Sequence, residues 1–293
     1  MGWEIGVDLG TRNVRMVLDG EGEALAQAAA LAVRAGEETP LCAGDAAMAL
    51  YGRECAGVEV CFPVSDGTLR NGEHARRMFQ WLYSLSGDRS RSKRLRALVT
   101  CAPFARPVQQ DALLQAALDA GAVEAALLRS DAAMAVGAGL DILAPEASLL
   151  VDVGAGKISA TLFTRGLVAA YAYLPYGVLR IDERLARMLR TERGYLVGPK
   201  TAEDIKQSMA AADGGAGVGM RVAGLNLQTR LPEIFEVEPE MVARASESVI
   251  AEILGMAASV VDNAPEELAA DLNDTACVLA GGGALLPGLD KRI

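Results

Sequence analysis

Aromatic residues make up only 4% of this 293-residue chain, and histidine occurs once, at position 74. Few rings mean cores built from aliphatic side chains, and abundant alanine favours many helices. The single histidine sits in the polar run Asn71-Gly72-Glu73-His74, where it is expected at the surface, so histidine-centred catalysis is set aside. Basic charge is also short: 28 Lys and Arg against 38 Asp and Glu leave a formal net charge of -10. That balance argues against nucleic acid as a partner, because a basic face supplies most of such affinity. It leaves room for phosphate ligands held by backbone N–H groups and metal ions. The five cysteines, at 42, 55, 61, 101 and 277, contain no C-x-x-C pair and are odd in number. Reduced thiols are expected, and neither a disulfide framework nor a zinc site. No apolar run reaches the roughly 18 residues that would span a bilayer, and no signal peptide precedes the first strand. A cytoplasmic location is expected, with any contact to the inner membrane surface left to a surface loop or a partner.

What is there begins with a repeat. Ile5-Gly6-Val7-Asp8-Leu9-Gly10 returns as Leu149-Leu150-Val151-Asp152-Val153-Gly154, 144 residues on. Each copy predicts an apolar strand running into Asp-x-Gly, a tight turn, and a second apolar strand, Val14–Leu18 and Ile158–Phe163. A third glycine turn, Gly281-Gly282-Gly283, follows the predicted strand Ala276–Ala280. One Asp-x-Gly is ordinary punctuation. Two in matched register, with a third turn, suggest a duplicated domain and a ligand held by exposed N–H groups, which form anion-binding concavities at such turns.

The rest of the chain alternates strands and helices, the pattern of an α/β protein. Hydrophobic content of 51% over 293 residues is enough for two domains with separate cores. A helix is predicted from Glu73 to Ser84, a strand over Ala97–Cys101, and a helix opened by Pro107 and closed by Gly121. The last carries the apolar stripe Leu113, Leu114, Ala117, Leu118. Another helical stretch, Asp131–Leu140, precedes Pro145, the expected boundary between halves. Arg89–Arg96 is a basic cluster, read as a solvated loop. In the second half a helix over Asp182–Arg193 stops at Gly194, and Thr201 is expected to cap one that runs to about Ala211. Gly214–Gly219 reads as a loop. From Pro239, Val242, Ala245, Val249, Ile253, Ala257 and Val260 recur at three- and four-residue spacing, a strong amphipathic signal.

Two acidic strand ends suit a hydrated magnesium ion, which keeps several waters and takes few carboxylates plus phosphate oxygens. Asp8 and Asp152 are the candidates, each acting through water. The glycine turns supply N–H groups to the phosphates, and the third turn lets a flat base approach the backbone. At these residues the chain resembles the actin, heat-shock chaperone and sugar kinase superfamily, and within it the bacterial actins of MreB type. The residues carrying the resemblance are Ile5–Asn13, Val136–Leu140, Val151–Gly156, Leu196–Lys206, Pro265–Asp271 and Val278–Asp290. It covers essentially the whole chain.

The resemblance implies an actin-like, duplicated ribonuclease-H-like fold with two domains around a nucleotide cleft. Residues 1–145 would form domain I with a small insert over about 30–61, and 146–293 domain II with an insert over about 176–240. It further implies ATP and Mg as ligands. Thr11, Arg12 and Asn13 would contact the phosphates, as would Gly154, Ala155, Gly156 and Lys157. The helix with Glu203, Asp204, Ile205 and Lys206 would contact the ribose, and Gly282, Gly283, Ala284 and Leu285 would lie against the adenosine. Members form homopolymer filaments beneath the membrane and organise cell-wall elongation proteins.

Departures cluster around the chemistry. Where the family carries a water-positioning glutamate, this chain has Arg129-Ser130-Asp131, so no catalytic residue is assigned and hydrolysis is expected to be weak or absent. Ala155 replaces a glycine, which matters only if that residue needs a positive φ. Lys157 either pairs with a phosphate or points to solvent. Tyr176-Gly177-Val178-Leu179 replaces a Gly-Gly-Asp turn. The family's return to domain I after the third turn is expected to be missing. The leading reading is an ATP-binding, filament-forming cytoskeletal protein of cell shape. The alternative is a nucleotide-independent scaffold or regulator that co-assembles with a full-length MreB. A small-molecule kinase ranks below both, for want of a general base near the turns.

Overall fold

The computed structural model describes residues 3–20, 24–37, 39–86, 95–210, 218–275 and 277–293. Four residues of the basic cluster (Arg89, Arg91, Lys93 and Arg94), Gly214 to Gly217, Ala211 and Ala276 lie outside them. The chain divides into two compact units, Met1–Gly137 and Ala138–Ile293.

In the first unit the predicted strand pair is β1 (Ile5–Leu9) and β2 (Asn13–Leu18), antiparallel and closing at Leu9 opposite Val14. They share a five-stranded sheet with β3 (Leu25–Ala28), β9 (Arg96–Cys101) and β10 (Glu124–Arg129), in the order β10-β9-β1-β2-β3. Between β3 and β9 lie β4 (Leu31–Arg34), β5 (Cys42–Ala43) and β6 (Val58–Cys61), a small sheet with helix α1 (Asp45–Met48) and its own core around Ala30, Ala32, Ala47 and Val60. A two-stranded ribbon, β7 (Val64–Ser65) with β8 (Thr68–Leu69), follows. These strands are too short for periodicity to reveal them, and the sequence reading passed over them.

Helix α2 (Gly72–Leu85) begins where Asn71 accepts a hydrogen bond from the His74 N–H. Its buried face, Ala75, Met78, Phe79 and Leu82, packs on the sheet. His74 is half-buried, which corrects the surface expectation, and burial pushes its pKa below the usual imidazole value. Helix α3 (Pro107–Asp119) starts on its proline, and Gly121 beyond its end has φ 118°. Its buried stripe is Leu113, Ala116 and Ala117, with Leu114 and Leu118 at the margin. Helix α4 (Ser130–Gly137) is shorter than the predicted Asp131–Leu140.

The second unit repeats the plan. Strands β11 (Ser148–Val153) and β12 (Ile158–Thr164) are antiparallel and close at Val153 opposite Ile158, the same register 144 residues on. With β13 (Leu167–Leu174) and β17 (Cys277–Ala280) they form the sheet β13-β12-β11-β17. Strand β17 runs parallel to β11, as β9 does to β1, so the duplication extends beyond the hairpin. All six residues of β11 are buried.

Helix α5 (Leu179–Glu192) ends at Gly194 with φ 71°. Helix α6 (Pro199–Met209) starts two residues before the predicted Thr201 cap: Gly198 takes the N-cap, and Pro199, its φ already helical, takes the first turn. A small sheet, β14 (Tyr195–Leu196), β15 (Met220–Asn226) and β16 (Pro232–Val237), lies beside them in the sequence order 14-15-16. Helix α7 (Pro239–Asp262) buries all six predicted stripe residues against β12, β13 and α5. Helix α8 (Glu266–Asp271) precedes β17, and short 3-10 turns cover Gly282–Leu285 and Leu289–Lys291. Among the described residues, no helix is long and apolar enough to cross a membrane.

Candidate functional site

The two Asp-x-Gly turns have the same internal geometry. In the first, the Gly10 N–H donates to the Asn13 carbonyl at 3.0 Å; in the second, Gly154 donates to Lys157 at 2.8 Å. A Cβ on either glycine would stand 2.8 Å from that same carbonyl oxygen, so both positions exclude a side chain.

In the first turn the Thr11 hydroxyl accepts from the Gly67 N–H at 3.3 Å, and the Arg12 carbonyl accepts from Ala29 at 2.9 Å. The Arg12 guanidinium stacks on Tyr51 and Phe62, 5.1 and 4.9 Å from the ring centroids. Its side chain thus tethers the turn to the small sheet's aromatic pair, an interaction worth about 0.5–2 kcal/mol. Asn13 is exposed at the head of β2. Asp8 accepts from the Thr100 hydroxyl at 2.5 Å and lies 3.7 Å from Arg15.

The second turn is backed by the start of α5. Val178 N–H donates to the Gly154 carbonyl and Leu179 N–H to the Ala155 carbonyl, both at 3.0 Å. No peptide here is cis. In a trans peptide the N–H points opposite to the C=O. Anchoring these two carbonyls therefore turns the N–H groups of Ala155 and Gly156 together, away from the helix. Paired N–H groups of this kind make an anion-binding concavity. Ala155 is not among the residues with positive φ, so its extra methyl carries no backbone strain. Gly177 makes the arrangement possible: a Cβ there would fall 2.2 Å from the Gly154 oxygen and 2.3 Å from that of Ala155. Gly177 was singled out in the sequence only as part of a changed turn; its contact with the distant Gly154 has no local signal.

Lys157 does not point to solvent, the second of the two directions the sequence left open. Its ammonium pairs with Asp152 Oδ2 at 2.5 Å, with the two side chains 15% and 3% exposed. The other carboxylate oxygen, Oδ1, lies 2.7 Å from where a Gly281 Cβ would be, so the third glycine turn packs against it.

The pair tests the expected magnesium site. Unit charges 4 Å apart at an effective dielectric near 20 interact by about 4 kcal/mol, and a divalent ion doubles the repulsion from an ammonium. A hydrated ion also needs room for its waters. Asp152 is enclosed by an ammonium on one side and a backbone turn on the other, and it does not fit a hydrated divalent ion while Lys157 stays in place. Among the described residues no group of three or more His, Cys, Asp and Glu side chains is placed to hold a metal.

Beside this turn, wholly within the second unit, is a cavity of about 320 Å³. Val178, Lys206, Gly282, Gly283, Leu285 and Pro287 line it, with Gln207, Ala210 and Leu286. The size reaches the lower end of small-molecule pockets, and the lining is mostly apolar with few polar groups, as such pockets are. Four sequence candidates thus meet here: Lys206, Gly282, Gly283 and Leu285. Lys206 Nζ is held 2.8 Å from Asp182 Oδ2, a buried pair joining α6 to α5. Glu203 is buried 3.5 Å from Lys200, Asp204 pairs with Lys200 at 2.9 Å, and Ile205 faces the core. Ala284 donates its N–H to the Gly281 carbonyl at 3.2 Å. Val178, Gln207, Ala210, Leu286 and Pro287 were missed as lining residues; all but Gln207 are apolar and carry no chemical signature.

Of Arg129-Ser130-Asp131, the carboxylate is fully buried and gripped by the guanidinium, Nε to Oδ1 at 3.1 Å and Nη2 to Oδ2 at 2.6 Å.

Comparison with known proteins decides the family. The MreB/Mbl protein family profile matches residues 2–293. The chain belongs to the MreB/Mbl family. It is 28% identical over 291 residues to the cell shape-determining protein Mbl of Bacillus subtilis (strain 168), covering 99% of this chain and 87% of that one. It is 29% identical over 296 residues to the cell shape-determining protein MreB of Escherichia coli (strain K12), covering 99% and 85%. Among solved structures, MreB5 of Spiroplasma citri bound to ADP matches at a TM-score of 0.91 and 24% identity, over 98% of this chain and 87% of that one. The MamK double helical filament matches at 0.79 and 22%, over 97% and 87%. The fold of this member of the MreB/Mbl family is therefore actin-like.

Proposed function

We propose that this MreB/Mbl-family chain is a cytoskeletal protein of cell shape that binds ATP, hydrolyses it weakly or not at all, and assembles with copies of itself. The observation that carries nucleotide binding is the adjacency, within one unit, of an N–H concavity at Ala155 and Gly156 and the cavity lined by Lys206 and Gly282–Gly283. The first is suited to phosphate and the second to a nucleoside. A solved relative in fold, MreB5, is bound to ADP in one structure and to AMPPNP in another. Weak hydrolysis follows from Asp131, the one carboxylate of its segment, which is committed to Arg129 and cannot swing out to orient a water. Phosphoryl transfer depends on such positioning. Self-assembly rests on family membership and on likeness in fold to MamK, which forms a double helical filament.

Calorimetric titration of the purified chain with ATP, and pelleting with and without nucleotide, test the reading. Micromolar binding that Gly154→Val abolishes, with sedimenting polymer and little phosphate release, is the expected result. A folded chain that binds no nucleotide yet sediments with a full-length MreB would replace it with the nucleotide-independent scaffold. Turnover at the rate of an ordinary bacterial actin would refute the hydrolysis claim.

A further inference from the structure

We propose that the Lys157 ammonium takes the place of the divalent cation at the second phosphate turn, so that this chain holds a nucleoside triphosphate without a metal. The inference rests on the nucleotide reading above and adds to it a built-in counter-charge.

Three features of the turn support it. Lys157 is the last residue of the turn Gly154–Lys157, and its stem folds back over Gly154: a Cβ on that glycine would meet Lys157 Cγ at 3.6 Å. The ammonium therefore sits at the turn and not in solvent, with its charge fixed at Asp152 Oδ2. Second, Asp152 is the carboxylate that would otherwise need a cation between itself and a phosphate. Two anions that approach one site require an intervening positive charge, and a lysine ammonium supplies one with three N–H donors around a compact charge. Third, Gly281 packs against Asp152 Oδ1 while the ammonium sits at Oδ2, at the end of the same turn that carries the Ala155 and Gly156 N–H groups. A lysine carries one charge where magnesium carries two, but it is covalently present and costs no dehydration of an ion that gives up its waters reluctantly. A purely architectural pair would bury the same charges and leave nucleotide affinity dependent on metal.

The test is ATP titration of this chain, stripped of nucleotide, by calorimetry, in millimolar magnesium and in excess EDTA. The proposal expects the two dissociation constants to agree within about threefold, well inside the tenfold that corresponds to 1.4 kcal/mol. Binding in magnesium that weakens tenfold or more in EDTA overturns the proposal and leaves the nucleotide reading standing. No binding in either condition defeats both. Lys157→Thr, checked for folding by circular dichroism, is expected to lose at least tenfold in EDTA and to recover affinity on adding magnesium, because Asp152 is then open to the ion. Magnesium alone is expected to raise the melting temperature of Lys157→Thr and not of the parent. A thermal shift of equal size in both overturns the substitution of lysine for metal. If the variant does not fold, the two-condition titration of the parent decides.

Discussion

Gly177→Ala is the substitution that most directly tests how the second turn is built. A Cβ at 177 would stand 2.2, 2.3 and 2.4 Å from the Gly154 oxygen, the Ala155 oxygen and the Ala155 carbonyl carbon. All three are backbone atoms, so no rotamer change relieves the clash, and the start of α5 must withdraw by about 1 Å to reach ordinary contact. That movement stretches the Val178 and Leu179 hydrogen bonds, both 3.0 Å, past useful length. Each is worth about 0.5–1.5 kcal/mol net. Overpacking adds about 1–3 kcal/mol, against which the lower entropy of an unfolded alanine returns about 0.4–1 kcal/mol. A net loss of roughly 1–5 kcal/mol follows, and nucleotide affinity falls with it because the released carbonyls no longer aim the Ala155 and Gly156 N–H groups.

Gly255 supplies the control. It lies exposed inside α7 in the same unit, and a Cβ there meets nothing within 4 Å. Gly255→Ala is expected to stabilise by about 0.5–1 kcal/mol, the helix penalty of glycine. Urea unfolding of both variants followed by far-UV circular dichroism measures the contrast. With slopes of about 1–3 kcal/mol per molar urea, the Gly177→Ala midpoint should fall by on the order of 1 M. A Gly177→Ala midpoint equal to that of the parent, or a matching fall for Gly255→Ala, would refute the packing account.

What could be read from the sequence was whatever repeats or has a period. Asp8 and Asp152 mark strands whose registers match pair for pair, Leu9 with Val14 and Val153 with Ile158, because the same turn length imposes the same pairing. The six stripe residues between Val242 and Val260 are all buried because an apolar stripe on one helix face has no other low-energy place to go. The convergence of Lys206 with Gly282 and Gly283 on one cavity came from family resemblance, not from any local pattern. What stayed hidden was set by tertiary contact. Strands of two to four residues, such as β5 and β7, hold too few positions for alternation to show. Thr201 looked like a helix cap, but Pro199 starts the helix earlier. His74 reads as polar, yet neighbouring packing half-buries it. Lys157 pairs with Asp152 only because the hairpin places residue 157 beside the end of β11.

Three further outcomes are expected. Lys206→Met strands the buried Asp182 carboxylate and should cost about 3–5 kcal/mol in urea unfolding, while adding Asp182→Asn should recover much of the loss. Thiol titration with Ellman's reagent at mildly alkaline pH should modify the exposed Cys55 quickly and Cys61 only on unfolding, since burial pushes the Cys61 thiol up to about 11. The last concerns acid stability. Glu73, in the first turn of α2, accepts from Arg76 Nε and Nη2 at 2.8 and 2.5 Å and from Arg77 Nε at 2.9 Å. Hydrogen bonds from Arg76 first, then Arg77, hold its carboxyl at about 2, below the ordinary 4.5. The folded form therefore binds its proton less readily than the unfolded form. The stabilisation is complete above pH 4.5 and is lost as pH falls from there toward 2. Solvent screening of this exposed cluster reduces the effect to less than about 1 kcal/mol. Glu73→Gln removes the titrating group, so the variant should lose less stability than the parent between those two pH values, and added salt should narrow the gap. Parallel pH profiles for parent and variant in low salt would show that the Arg76 and Arg77 contacts do not persist in solution.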